Sequence, residues 1–398
     1  MTDAAGGTRP QARPETIASI GEFALIQRIR AVLEGPSGRP RSPGASSDLL
    51  LDIGDDAALI RPEPGWDLAL TCDIQVCGRH FDPRWMGAGT IGRRAMTVNL
   101  SDIAAMGGEP RHALVSLGLP GSMEVAAVEG LYRGFLEALE GTEACVIGGN
   151  ITSSGPEWFV DITLVGRIEQ GRALTRAGAR PGDRILVTGS PGRSAAGLAV
   201  LREITGSGAN SSHQRIEQFL VTNHWAQSLV RAFRQPEARV AAGRLLASVA
   251  DRSVTALVDL SDGLIGDLEH ICDRSGVRAR IDAARFPHDP DLETAASHFG
   301  GVRAAWTLGP GDDYELLLTV HPAASDRVAN ELRAATGLMV TEIGEIFSCR
   351  VSSKGTMPFS AGSHPPRKTE IDHGLVEVAG APPGKPHGGG WDHFRVEP

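Results

Sequence analysis

Apolar residues recur at helical spacing from Glu22 onward, where Phe23, Ile26, Ile29 and Leu33 mark a first amphipathic helix. The Gly-, Pro- and Ser-rich run 35–47 predicts a loop. A short apolar run, Leu49–Ile53, breaks at Gly54-Asp55-Asp56, resumes at Ala57–Ile60, and is followed by a strand at Leu68–Cys72. Residues 90–106 predict a helix ending at Gly107-Gly108, with Asn99 and Asp102 three apart on one face. A strand (113–117), a helix (123–140), a strand (144–147) and a long extended segment (158–168) follow.

The turn-rich stretch 178–183 begins a second unit. It opens with a strand (184–189) and a glycine loop entering a helix (190–201), and continues through a largely helical region (215–249). A strand, an acidic turn and a helix span 254–276, with Leu264, Leu268 and Ile271 on one helix face. A loop then enters a strand (306–320), and 323–346 form a last helix–strand pair. This order predicts an α/β or α+β fold in two α/β domains, residues 17–178 and 179–351. Residues 1–16 read as a disordered lead-in, and 352–398 as a Pro/Gly-rich tail ending in GWDHF.

The 398 residues are 41% hydrophobic, enough for two real cores, with a formal net charge of −9. With no Lys/Arg block, nucleic acid and anionic membranes are not expected partners. No run approaches a membrane-spanning length, and no apolar segment in residues 1–16 predicts secretion. The five cysteines lack CxxC spacing, which predicts reduced thiols and a cytoplasmic location. Cys72 and Cys77 read as small buried residues.

Chemistry concentrates in four acidic clusters: GDDAAL (54–59), TCD (71–73), NLSD (99–102) and DLSDGL (259–264). Singly, each reads as a solvated turn, a cap or an exposed acid. Jointly, oxygen donors on separate elements predict a site for hard cations, magnesium above all, and hence nucleotide phosphate chemistry. GGNITSS (148–154) and GSPGRSAAG (189–197) are glycine-rich loops of the kind that admit phosphate oxygens. No GxxxxGK[ST] or strand–GxGxxG–helix unit is present, so any ATP site uses another architecture.

In order, GEFALIQRI (21–29), IGDDAAL, TCD…GRHF, NLSDIAAMGGEP, GGNITSS, TGSPGRSAAGL, DLSDGL, GDDYELLL (311–318) and GWDHF (390–394) resemble the thiamine-monophosphate kinase family. The likeness spans roughly residues 20–350 plus the last few. It implies an N-terminal ATP- and Mg²⁺-binding domain that pairs across a homodimer into a shared β-barrel, and a C-terminal α/β domain. It implies direct in-line transfer from ATP to thiamine monophosphate with several Mg²⁺ ions. Carried over, Asp56, Thr71, Cys72, Asp73, Asp102, Asn150, Asp259 and Asp262 surround the metals. Tyr132, Gly149, Asn150, Arg176 and Ser261 meet the nucleotide, while His80, Glu315 and Trp391 hold the thiamine phosphate. Asp56, Asp73, Asp102, Asp259 and Arg176 carry the catalytic charge.

The chain departs from that pattern at Cys72, where a Thr is common, and at Asn150, where many members carry Asp. Cys77 and Arg79 also replace the commoner residues before His80. Two alternatives stand beside the kinase reading. One is another ATP-using enzyme of the aminoimidazole ribonucleotide synthetase-like superfamily. Its selenophosphate branch is disfavoured by the lack of a Cys-bearing glycine loop, and its purine branch by Asn150. The other is a non-catalytic nucleotide or thiamine-phosphate binding protein.

Overall fold

The computed structural model describes residues 14–35, 48–51, 57–206, 213–249, 251–349 and 375–379. Twelve strands occur among them: β1 (Leu49–Leu51), β2 (Leu59–Ile60), β3 (Trp66–Val76), β4 (Glu109–Leu119), β5 (Cys145–Ser153), β6 (Phe159–Glu169), β7 (Arg184–Thr188), β8 (Val254–Asp259), β9 (Val277–Asp282), β10 (Leu316–Val320), β11 (Val340–Ser348) and β12 (Val376–Ala379). β1 and β2 form a small hairpin; the rest divide into two sheets.

The first sheet has the order β3-β6-β4-β5, antiparallel except for the β4–β5 pair. Helices Ala88–Ala105 and Val125–Leu139 cover one of its faces. On β6 the alternation is regular: Val160, Ile162 and Leu164 are fully buried while Asp161, Thr163 and Val165 face the other way. Burial of each such side chain contributes roughly 1.5–3 kcal/mol. The opposite face is open and carries exposed leucines and an isoleucine, Leu68, Leu70, Ile74 and Leu114, with Leu70 at 68%, around a polar patch of Asp161, Thr163 and Cys72.

The second sheet has the order β12-β9-β11-β7-β10-β8, antiparallel apart from β12–β9. Both sheets are therefore chiefly antiparallel, so the arrangement is α+β although helices and strands alternate along the chain. The hydrophobic cores do not separate at the turn-rich stretch. Ile216, Leu220, Ala226, Val230 and Phe233, from helices His213–Thr222 and His224–Arg234, join the core of the first sheet. Gly243 of helix Val240–Ser248 packs on the end of the Ala88–Ala105 helix; a Cβ there would lie 2.0 Å from the Ala104 carbonyl oxygen.

Three local expectations are corrected. The first helix, Glu22–Glu34, buries Leu25, Ile29 and Leu33, and leaves Phe23 at 84% exposure. GGNITSS is not a loop: β5 runs through Ser153. Gly149 lies so close to β4 that a Cβ would meet the Val115 carbonyl oxygen at 1.9 Å, so the glycine serves strand packing. Cys72 is exposed rather than buried. No helix among the described residues is long and apolar enough to cross a membrane.

Candidate active site

Strand alternation sorts the TCD segment. Thr71 and Asp73 point from β3 toward the helix layer, where the Thr71 hydroxyl donates to Asp102 on the Ala88–Ala105 helix. Asp73 shares a hydrogen bond with Asp102, and its pKa is pushed up to about 7, first by burial and then by the Asp102 and Asp259 charges. Asp259 ends β8 and is 2% exposed. Its carboxylate accepts the Ser101 hydroxyl at 2.6 Å. Burial and Asp102 raise its pKa to about 6, while Ser101 and Arg176 pull it down. Three carboxylates from two halves of the chain thus crowd one spot.

The DLSDGL turn is organised by a residue that sequence reasoning missed. Asp267, one turn into helix Leu264–Ser275, accepts the backbone N–H groups of Ser261, Asp262 and Gly263 at 3.1, 3.2 and 3.1 Å. Burial, Asp259 and Asp262 push its pKa up to about 8, against the pull of the turn. An acidic residue in the first turn of a helix is the signal that was available. Asp262, Asp267 and His270 bring one ligand atom each within 4.8 Å of one another. The exposed Arg176 faces this corner, lowering the pKa of Asp259 and Asp267 and, after burial, of His270.

The GDDYE segment proves to be more than a turn. Asp313 accepts the backbone N–H groups of Gly192 and Ser194 at 2.7 and 3.0 Å, and so occupies the N-terminus of helix Arg193–Thr205. The second glycine loop is therefore capped by the protein's own carboxylate rather than left open for phosphate. Glu315, 7% exposed, accepts from Nη2 and Nε of Arg239 (2.5 and 2.8 Å) and from the Thr188 hydroxyl (2.6 Å). It lies at the floor of a cleft of about 560 Å³ that Arg193, Gln227 and Asp313 also line.

His80 sits in the turn after β3, where its Nδ1 accepts the Val76 N–H at 3.0 Å. That bond fixes the tautomer with the proton on Nε2, a donor suited to a phosphate oxygen.

Other expected site residues are not brought together. The Cys72 thiol lies on the opposite face of β3 from Thr71 and Asp73, donating to Asp161 at 3.2 Å, because neighbours in a strand alternate; it is not a ligand in the acidic cluster. Tyr132 is 4% exposed, edge-on to Phe135 in the core, with burial holding its pKa well above the usual phenol value; its ring is spent on packing. Gly149 and Asn150 lie on β5, at the far edge of the sheet from β3. Two intervening strands put about 14 Å along the sheet between those edges. Asp56 and Trp391 lie outside the described residues.

The family described as AIR synthase related protein, N-terminal domain, matches residues 54–168, and its C-terminal domain matches 180–353. The thiamine-monophosphate kinase of Escherichia coli (strain K12) is 35% identical over 329 residues, covering 83% of this chain and 89% of that protein. The thiamine-monophosphate kinase of Bacillus subtilis (strain 168) is 35% identical over 326 residues, covering 82% and 91%. The crystal structure of thiamine-monophosphate kinase from Stenotrophomonas maltophilia K279a superposes with a TM-score of 0.67 at 32% identity, over 83% of this chain and 95% of that one. AaThiL complexed with AMPPCP and TMP gives 0.64 at 30% identity, over 94% and 97%.

Proposed function

The chain belongs to the thiamine-monophosphate kinases of the AIR synthase-related family, and we propose that it transfers the γ-phosphoryl group of ATP to thiamine monophosphate, giving thiamine diphosphate and ADP. The observation that carries this reading is the convergence of Asp73, Asp102 and Asp259 from β3, a helix and β8. Their donor set, with Thr71, is all oxygen, and burial, followed by the repulsion among these charges, raises the pKa values of Asp73 and Asp259. Such a set fits Mg²⁺. A Mg²⁺ ion held by these carboxylates would supply charge neutralisation for the polyphosphate and the acceptor phosphate.

The residues of the chain then have distinct tasks. An oxygen of the acceptor phosphate forms the new P–O bond as the β–γ bridging bond breaks and its electron pair leaves with ADP. A phosphate oxygen is already a competent nucleophile, so no general base is required. Asp73, Asp102, Asp259 and Asp262 serve as cation holders, with Asp56 from the sequence motif. Arg176 offsets phosphate charge at the Ser261 turn. His80 donates from Nε2, and Glu315 and Trp391 receive the thiamine end.

We further propose a homodimer. The open, leucine-rich face of the first sheet, and edges β3 and β5 that pair on one side only among the described strands, favour closure with a second copy into a barrel. If β5 of that copy borders β3, its Gly149 and Asn150 enter the metal and nucleotide site from the partner. The free cysteines fit a reducing cytoplasm.

The activity is tested by ADP release with Mg²⁺-ATP, with and without thiamine monophosphate. Release that requires the thiamine compound supports the proposal. Release that ignores it, or no release at all, contradicts it.

A further inference from the structure

Arg94 is a buried cation that the site described above does not use. It is 2% exposed, on the helix that carries Asp102. Its Nη1 donates to the Phe233 carbonyl at 2.6 Å and its Nη2 to Asp312 at 2.5 Å. The guanidinium lies 4.8 Å from the Phe233 ring centroid and 5.9 Å from that of Tyr314. Its Nε has no partner among the described residues.

Arg94 and Ser101 are seven residues apart, so they share one helix face within about 20° and stand about 10 Å apart along the axis. Both grip the second half of the chain, Arg94 at Asp312 and Ser101 at Asp259. The segment that Arg94 holds is itself stretched between elements. Tyr314 is a non-glycine residue at φ +53°, its N–H bonded to the Leu260 carbonyl at 2.8 Å, and the Leu260 N–H returns to the Glu315 carbonyl at 2.8 Å. A left-handed tyrosine persists only where its surroundings over-determine it. Arg94 supplies one of those constraints, through the Tyr314 ring and the neighbouring carboxylate.

We propose that Arg94 is a positioning residue for phosphoryl transfer: with Asp312 it locks the 312–315 segment to the Asp102 helix, fixing the thiamine-side carboxylate Glu315 relative to the metal-side carboxylates. The proposal rests on the assignment of Asp73, Asp102 and Glu315 to the active site. In-line transfer is sensitive to ångström displacements of either reactant, so the lock acts on turnover more than on the binding of either substrate.

The test compares steady-state kinetics of the full chain carrying Arg94→Met, Arg94→Lys or Asp312→Asn, each checked for a cooperative thermal transition. Arg94→Met is expected to lower kcat by about tenfold or more, with KM for ATP within about twofold. Arg94→Lys keeps the charge and is expected to recover part of that loss. Asp312→Asn changes a half-exposed side chain while keeping an oxygen that can accept from Arg94, and is expected to lower kcat in the same direction. An Arg94→Lys/Asp312→Asn double variant no worse than the poorer single variant also supports the lock. A purely structural role would lower the melting temperature and leave kcat per folded molecule unchanged, which overturns the proposal. Asp73→Asn serves as the control. If it is inactive while folded Arg94 and Asp312 variants turn over normally, the lock is wrong and the site stands. If it too turns over normally, the site assignment fails and the lock with it.

Discussion

The Ser101 hydroxyl donates to the Asp259 carboxylate at 2.6 Å, with both side chains out of contact with water. This bond joins the helix of the first half to the strand end of the second. Removing it in Ser101→Ala leaves a buried carboxylate without that donor, at a cost of about 1–3 kcal/mol. The loss is expected to be larger at about pH 7.5 than at about pH 5, because a protonated Asp259 needs the donor less. Urea unfolding in EDTA at the two pH values measures it.

Asp73 and Asp259 both have pKa values raised above the ordinary carboxylate range, to about 7 and about 6. Between about pH 4 and these values the folded chain therefore binds more protons than the unfolded chain. Their contribution to stability is complete below the unfolded pKa and is lost as pH rises through the folded ones. Metal-free protein should thus melt at falling temperature as pH rises across that window. Added Mg²⁺ should flatten the decline, since it binds the ionised forms. Parallel melting curves with Mg²⁺ and with EDTA would place the cation elsewhere.

Asp73→Asn should separate activity from stability. Loss of one cation-holding charge is expected to lower kcat by about a hundredfold or more. The same change removes like-charge repulsion from Asp102 and Asp259, so the melting temperature in EDTA should rise at neutral pH. A fall in both would mean that Asp73 is chiefly a structural residue.

The elements and the acidic clusters were legible in the sequence because hydrophobic period and motif are local properties. What joins them was not. Ser101 inside NLSD and Asp267 beyond DLSDGL each take their meaning from a partner across the chain or across a turn. GGNITSS looked like a phosphate loop because glycine admits backbone approach, but the backbone that approaches Gly149 is β4. Likewise the N-terminus of helix Arg193–Thr205 is already filled by Asp313, more than a hundred residues away in sequence. The face on which Cys72 lies followed from strand alternation once Thr71 and Asp73 were placed on the other.

The open face of the first sheet predicts an assembly. Leu70→Asp puts a charge at its most exposed leucine. If two copies close over this face, the variant should run as a monomer in sedimentation and lose most of its turnover. A parent protein that sediments as a monomer would remove the partner's Gly149 and Asn150 from the site.

The most direct measurement is incubation of the purified protein with ATP, Mg²⁺ and thiamine monophosphate, with the products separated and weighed by mass spectrometry. Thiamine diphosphate appearing with an equal amount of ADP, and neither appearing in EDTA, is the predicted result. Absence of thiamine diphosphate with every divalent cation tried would contradict the assignment.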